Sequence, residues 1–230
     1  MSEENSKDKN FDVLSKISKD RSRTNLLRKS EQWLLAFLVQ RIPLCISPNM
    51  LTLIGFAGSM LVTGSIISAK FFSKYWLLLG VLGLIVNWFG DSLDGRLAYY
   101  RNKPRKWYGF SLDFTVDWIS FIIIGLSYIV YVDNGAKILG YSFVVLYGWA
   151  MMIALLRYKI INKYTIDSGI LGPTEVRFII AFMLILEVLL EGSIVYFGAT
   201  ISVILLIVNI IDFIKLLKMA DERDIEERGN

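Results

Sequence analysis

The sequence predicts an all-helical integral membrane protein with six transmembrane helices, preceded by an amphipathic helix that lies in the membrane interface. The first observation is composition: 54% of the 230 residues are hydrophobic and the mean hydropathy is +0.50, which is too apolar for a soluble domain of this length. The second is that six apolar stretches approach the ~20 residues needed to span a bilayer once polar turns at one end are included. The third is an alternation of basic and non-basic connections between these stretches.

The six predicted spans are separated by short polar connections. They cover Leu51–Ala69, Tyr75–Tyr99, Phe110–Val132, Lys137–Ile160, Thr174–Leu190 and Ser193–Leu216. No cleavable signal peptide is visible, since the first thirty residues are polar. The single cysteine, Cys45, excludes an internal disulfide.

The distribution of Lys and Arg predicts the orientation of the chain. Of the 25 basic residues, all but Lys70, Lys74 and Lys137 lie in the N-terminal arm, the C-terminal tail, or the second and fourth connections. Cytoplasmic loops carry such an excess. We therefore expect both termini, and the connection between the second and third spans, on the cytoplasmic side of the inner membrane. The net charge of +4 then reflects topology and attraction to anionic lipid, with no need for a nucleic-acid partner.

Four regions follow from these patterns. Residues 1–29 are charged and poor in aromatics, which predicts a mobile cytoplasmic arm. Residues 30–46 form the amphipathic helix and a linker, with Trp33, Leu34, Phe37 and Leu38 gathered on one side and Pro43 ending the helix. Residues 47–217 form the six-helix domain, and residues 218–230 a cytoplasmic tail.

Four aspartates lie at the cytoplasmic end of the second and third spans. Asp91 and Asp94 are three residues apart and Asp113 and Asp117 four apart, so each pair shares one face of its helix. The loop between them is short, and we expect antiparallel helices that bring all four together. Helical rise then pairs Asp91 with Asp117 in a deep layer and Asp94 with Asp113 in a shallow one.

This cluster indicates a site for divalent cations. Four carboxylates this close stay ionised only with a cation among them, and carboxylate ligands suit Mg²⁺ or Mn²⁺. Because the chain has no histidine, a general base must also be a carboxylate. Gly95 and Gly109 flank the acids and leave the backbone bare where a phosphate or nucleotide approaches.

The acids and glycines together resemble a known motif. The pattern D-x-x-D-G-x-x-A-R, then eight or nine residues, then G-x-x-x-D-x-x-x-D, is typical of the CDP-alcohol phosphotransferases, integral membrane enzymes of phospholipid synthesis. Seven positions match it: Asp91, Asp94, Gly95, Ala98, Gly109, Asp113 and Asp117. Tyr99 departs from it, standing where the family has an arginine that helps to hold the nucleotide diphosphate. Arg96 or Arg101 is a candidate replacement.

The resemblance implies an activity and assigns roles. It implies transfer from a CDP-linked donor with release of CMP, two bound ions and a homodimer. We expect Asp91, Asp94 and Asp113 to hold the ions, and Asp117 to act as general base and to touch the second ion. The expected nucleotide contacts are Asn49, Met50, Leu51, Thr52, Gly95, Ala98 and Gly109. For Asn49 to Thr52 the alternative is ordinary helix-start chemistry after Pro48.

The residues leave two versions of the transfer reaction open, which differ in donor and acceptor. Arg157 and Arg177 favour transfer of phosphatidyl from CDP-diacylglycerol to a small polar alcohol that carries phosphate, such as glycerol 3-phosphate or an inositol phosphate. The alternative is that these arginines are basic anchors at the membrane surface. Of the two, Arg177 is favoured as a phosphate ligand, since Glu175 nearby indicates a fixed position. Glu175 and Tyr158 instead favour a cationic headgroup, hence a CDP-choline or CDP-ethanolamine phosphotransferase acting on diacylglycerol.

A cation transporter is a more remote alternative. The aspartates follow about 24 Å of apolar helix and so lie at its end, whereas transporter sites lie near the midplane.

Three further polar positions carry expectations. Asn87, one turn before Asp91, is either a donor that orients this aspartate or a helix–helix hydrogen bond. Glu187 and Asp212 are interpreted as interfacial groups at opposite ends of the last two helices.

Overall fold

The computed structural model describes residues 28–161 and 173–229, and the regular secondary structure in these residues is entirely helical. Its seven helices are α1 (Arg28–Val39), α2 (Pro48–Phe71), α3 (Leu77–Tyr100), α4 (Lys106–Tyr131), α5 (Lys137–Ile161), α6 (Pro173–Leu189) and α7 (Ser193–Gly229). Short 3₁₀ turns, Lys74–Trp76 and Asn134–Ala136, precede α3 and α5. The predicted all-helical class is confirmed. The predicted mobile arm, residues 1–29, lies outside the described residues except for the first two of α1.

Within residues 28–161 and 173–229, five helices are long and apolar enough to cross a membrane: α2, α3 and α5 with their 3₁₀ turns, α4 and α7. The fifth predicted span, Thr174–Leu190, corresponds to α6, which has 17 residues and is about 25 Å long. Helix α6 packs against α3 and α7 inside the bundle. A count of six spans therefore remains a prediction. Helix α7 continues past its predicted span and runs for 37 residues.

Proline and serine set two helix starts. The Oγ of Ser47 accepts a hydrogen bond of 3.2 Å from the backbone N–H of Met50, and Pro48 is the first residue of α2. Proline at this position has no N–H to leave unsatisfied. Helix α6 likewise begins at Pro173.

Helix α1 is apolar on two sides. Leu35 and Val39 are buried against Leu93 and Leu97 of α3. Trp33 and its ring neighbour Phe37 point outward, with ring centroids 5.9 Å apart, and Trp33 is 55% exposed. One face therefore docks α1 on the bundle, and the other is free to contact lipid; the predicted interfacial position stays a prediction.

Helix α2 is the centre of the site-bearing half, because it packs along both α3 and α4. Glycines allow its backbone to touch that of α3. A Cβ at Gly83 would lie 2.8 Å from the carbonyl oxygen of Gly58, and one at Gly90 would overlap the backbone of Gly55. Small residues let membrane helices approach this closely. This α2–α3 seam leads directly to Asp91, whose N–H a Cβ at Gly55 would contact.

At the end of the bundle away from the aspartates, the interpretation of Glu187 as an interfacial group is wrong. Its side chain is 2% exposed and accepts four hydrogen bonds. The donors are the Tyr131 hydroxyl (3.0 Å), the Ser193 hydroxyl (3.1 Å) and the backbone N–H groups of Gly192 (3.0 Å) and Ile194 (2.8 Å). Glu187 thereby satisfies N–H groups where α7 begins.

Candidate active site

Three of the four predicted aspartates, one from α3 and two from α4, converge between these helices, which both pack against α2. Asp91, Asp113 and Asp117 each offer one carboxylate oxygen, and these three oxygens lie within 4.8 Å of one another. All three residues are half-buried. We call them the aspartate triple. The α-helical spacing of four between Asp113 and Asp117 puts both on the side of α4 that faces Asp91.

Asp94 is not part of this triple, so the expected pairing of Asp94 with Asp113 in a shallow layer is wrong. Its Oδ2 accepts a hydrogen bond of 2.7 Å from the hydroxyl of Thr52, and its Oδ1 accepts one from the N–H of Gly95. Three residues along a helix correspond to a rotation about 60° short of a full turn. Asp94 is therefore turned from α4 towards α2, where the buried Thr52 meets it.

A buried arginine from α6 joins the aspartate triple. The Arg177 Nη2 lies 2.6 Å from Oδ2 of Asp91, and its Nε donates to Oδ1 of Asn87, also at 2.6 Å. Among the described residues, its Nη1 has no hydrogen-bond partner although it is buried. Arg177 thus brings one positive charge to the triple. Its Nη1 is left as a donor for a ligand.

Asn87 makes contacts of both expected kinds, a helix–helix hydrogen bond and a link to Asp91. Its Nδ2 donates to the carbonyl of Gly55 (3.0 Å) and to the hydroxyl of Ser59 (2.9 Å), which is a helix–helix contact between α3 and α2. Its Oδ1 holds Arg177, which in turn bonds Asp91. Asn87 therefore acts on Asp91 through the arginine.

The donor set fits a hard divalent cation. Three carboxylates contribute three negative charges, against the single guanidinium of Arg177. Like charges this close favour protonation unless a cation is bound. Oxygen-only ligands at this spacing suit Mg²⁺ or Mn²⁺ better than metals that prefer nitrogen or sulfur.

The predicted nucleotide residues have varied surroundings. Asn49 lies at the start of α2, where its side chain bonds Arg105, the residue before α4, and Tyr108 in the first turn of α4. Leu51 is fully buried with Leu93 and Leu97, so its side chain belongs to the core. The remaining members differ in exposure: Met50 and Gly109 are exposed, Gly95 and Ala98 are half-buried, and Thr52 is buried against Asp94.

The two candidate replacements for the arginine missing at Tyr99 both bind backbone carbonyls. Arg96 is buried and donates to the carbonyl of Ser92 in its own helix. Arg101 donates to three carbonyls of the α1–α2 linker, those of Ile42 (3.3 Å), Pro43 (2.8 Å) and Ile46 (2.5 Å). Arg101 therefore fastens this linker to the end of α3.

Arg157 lies apart from Arg177. It is buried between α5 and α7, and its Nη2 is 3.6 Å from Oδ2 of Asp212. Asp212 is 7% exposed, so its interpretation as an interfacial group is wrong. The charge of Arg157 is already balanced by this carboxylate.

Several contacts could not be seen from helical spacing. Thr52 and Asp94 are 42 residues apart, Arg177 and Asp91 are 86 apart, and the Thr174 hydroxyl reaches Oε1 of Glu31 at 3.0 Å across 143 residues. The sequence shows only that these residues are polar and lie near helix ends, and it does not show which of them pair.

Comparison with known proteins identifies the family of the chain. A family model for CDP-alcohol phosphatidyltransferase matches residues 45–211, more than half of the chain, including all four aspartates and Arg177. The chain is also similar to the archaetidylinositol phosphate synthase of Pyrococcus horikoshii, with 41% identity over 75 residues. That segment is 33% of this chain and spans about a third (36%) of the relative's length. From the family match we conclude that the chain belongs to the CDP-alcohol phosphatidyltransferase family.

Proposed function

We propose that this protein transfers a phosphatidyl group from a CDP-linked lipid, such as CDP-diacylglycerol, to a hydroxyl of a small polar alcohol that carries phosphate. CMP is the second product. The observation that carries the proposal is the convergence of Asp91, Asp113 and Asp117 with the buried Arg177 from a third helix. Family membership supports the reaction type.

The aspartate triple is the proposed cation site. Divalent ions bound there supply positive charge that neutralises the diphosphate of the donor and stabilises CMP as it leaves. Asp94 completes the predicted ligand set for two ions, with the Thr52 hydroxyl fixing the direction of its carboxylate.

Asp117 is the proposed general base. It lies four residues, about 6 Å, further along α4 than Asp113, on the side towards the membrane interior. Its carboxylate takes the proton of the acceptor hydroxyl. The hydroxyl oxygen then forms a bond to the phosphorus distal to cytidine, while the bond from this phosphorus to the bridging oxygen breaks and CMP leaves.

Arg177 is the proposed ligand for the acceptor phosphate. It is adjacent to the triple through Asp91, and its Nη1 has no partner among the residues that the structure describes. A guanidinium binds phosphate through paired, charge-assisted hydrogen bonds. The relative from Pyrococcus horikoshii is named for a phosphorylated inositol lipid, which supports an acceptor of this kind. Arg157 is the weaker candidate, because Asp212 already pairs with it.

One observation favours the second version, a CDP-choline or CDP-ethanolamine phosphotransferase acting on diacylglycerol. Tyr158 packs against Trp107 (6.3 Å between centroids) and Phe110 (5.7 Å), and Trp107 is 65% exposed. Such an aromatic group can hold a quaternary ammonium.

The deciding experiment offers purified protein two donor sets in the presence of Mg²⁺. The first pairs CDP-diacylglycerol with glycerol 3-phosphate, inositol phosphate or serine; the second pairs CDP-choline with diacylglycerol. We expect CMP release and a new lipid only with CDP-diacylglycerol and a phosphorylated alcohol. Turnover with CDP-choline would favour the second version, and full activity in excess chelator would contradict the cation site. Cation flux in liposomes without CMP release would favour a transporter.

The proposed orientation places the aspartates on the cytoplasmic side. Cys45, in the exposed α1–α2 linker, reports on it directly. A membrane-impermeant maleimide should label Cys45 in inverted inner-membrane vesicles and not in intact cells. Labelling in intact cells would reverse the topology. A homodimer is also proposed, from the resemblance alone.

A further inference from the structure

The segment that joins α3 to α4 contains a third arginine, whose contacts differ from those of Arg96 and Arg101. The latter two donate to backbone carbonyls. Arg105 is exposed and donates from Nη2 to Oδ1 of Asn49 at 2.7 Å, and its guanidinium carbon lies 4.0 Å from the centre of the Tyr108 ring. Both of these partners are neutral.

Arg105, Asn49 and Tyr108 form a bridge between two helix starts. Arg105 occupies the N-cap position of α4, but its side chain makes no hydrogen bond to cap that helix. It crosses instead to Asn49 in the first turn of α2, and the Nδ2 of Asn49 donates to the Tyr108 hydroxyl at 3.1 Å. We call this contact the Arg105–Asn49–Tyr108 bridge.

The bridge lies at the start of α4, about two helical turns before Asp113. On α4, Arg105, Gly109, Asp113 and Asp117 follow one another at intervals of four, so they drift slowly around one side of the helix. The rise from Arg105 to Asp113 is about 12 Å. Gly109 lies between them, and no atom lies within 4 Å of where its Cβ would be. On α2, Asn49 precedes by one turn Thr52, which bonds Asp94.

We propose that Arg105 binds a phosphate of the CDP-linked donor and releases Asn49 when it does so. This inference rests on the proposed function. A guanidinium bonded to an amide gains energy by exchanging it for a phosphate, because the phosphate adds an opposite charge and can accept two parallel hydrogen bonds from the planar group. The Tyr108 ring holds the guanidinium plane from one side and leaves its edge available for the phosphate. Arg105 thereby supplies the diphosphate contact that Tyr99 cannot make.

The test measures the affinity of the full-length protein in lipid nanodiscs for CDP and for cytidine, by calorimetry with Mg²⁺ present. Lys103→Ala is the matched control, since it removes one positive charge from the same exposed loop. We expect Arg105→Ala to weaken CDP binding ~10- to 100-fold and to leave cytidine binding unchanged. Arg105→Lys should fall between, because it keeps the charge and loses the planar fork. Lys103→Ala should bind CDP within about twofold of wild type.

Two results would overturn the inference while the wild type still binds CDP and releases CMP. One is equal CDP affinity in Arg105→Ala and Lys103→Ala, which would mean that Arg105 does not touch the nucleotide. The other is an equal loss of CDP and cytidine affinity in Arg105→Ala together with a lower melting temperature, which would make the bridge purely structural. A wild type that neither binds CDP nor releases CMP with any donor would instead refute the proposed function, and the inference with it.

Discussion

Glu187 and the aspartate triple are acidic sites at opposite ends of the same bundle, and their surroundings differ in kind. Glu187 is 2% exposed, and each of its two oxygens accepts two hydrogen bonds from neutral donors. Asp91, Asp113 and Asp117 place three carboxylates together, and the guanidinium of Arg177 pairs with Asp91.

The difference distinguishes an acid that stabilises the fold from acids that are candidates for binding a cation. A buried carboxylate whose oxygens are all satisfied stabilises the fold and needs no further ligand. Carboxylates that crowd together with a surplus of negative charge destabilise the fold until a cation arrives. Substitutions at the two sites should therefore differ in kind, since those in the triple act on activity and metal response and those at Glu187 on stability.

Asp117→Asn should have the largest effect on activity. Without the carboxylate, no group at the end of the triple can accept the proton of the acceptor hydroxyl, and we expect kcat to fall by ~10²- to 10⁴-fold. CMP release per folded molecule measures this. Affinity for CDP should persist, and a variant that turns over at the wild-type rate would remove Asp117 from the mechanism.

Asp113→Asn should abolish stabilisation by metal. With Mg²⁺ at a hundred times its Kd, the wild type should gain about 2.7 kcal/mol in free energy of unfolding. We expect the variant to lose most of this gain and to be no less stable than wild type in chelator, because one repelling charge is gone. Melting temperature with and without Mg²⁺ checks both. An unchanged Mg²⁺ response would place the cation elsewhere.

Glu187→Gln should lower stability and leave the chemistry intact. The new NH₂ group takes the place of one oxygen and faces the backbone N–H of Ile194, so that hydrogen bond is lost, whereas the Ser193 hydroxyl can rotate to accept from the NH₂. We expect the free energy of unfolding to fall by about 1–3 kcal/mol. Denaturation in nanodiscs measures this, and the Mg²⁺ response and the activity of folded molecules should match wild type. A loss of activity without loss of stability would make Glu187 functional.

The smallest effect is expected at Asp133, an exposed acid at the same end as Glu187. The hydrogen bond from Lys70 (2.6 Å), followed by its charge, lowers the pKa of Asp133 below its usual value. A depressed folded-state pKa contributes stability above the unfolded value of about 3.9, and this contribution is lost as pH falls through the folded value. Asp133→Asn should therefore lower the melting temperature slightly at pH 7 and not at pH 2. A large drop in melting temperature at pH 7 would mean that solvent exposure does not weaken the Lys70–Asp133 ion pair.

Much of the site could be predicted because helical spacing relates residues of one helix. The spacing of four between Asp113 and Asp117 was enough to place both carboxylates on one face, and the short loop was enough to bring Asp91 to them. The apolar runs located the helices, and prolines located the starts of α2 and α6.

Spacing does not reveal which neighbour a face meets. Asp94 was expected to face α4, yet it meets Thr52 because α2 packs against both acid-bearing helices. Asp212 was misjudged for the same reason, since its partner Arg157 lies on another helix. Glu187 was misjudged because its donors include backbone N–H groups, which every residue type except proline carries.

The glycine seam between α2 and α3 constrains how a lipid donor reaches the aspartates. Where the glycines of α2 and α3 meet, the two backbones touch and no side chain between them can rearrange. We therefore expect α2 and α3 to move together as one rigid wall of the site. Side chains separate α4 and α6 from that wall. A lipid donor that enters from the side is therefore expected to pass beside α4 or α6 and not through the seam, so a disulfide that ties α4 to α2 should slow its entry while one across the seam should not.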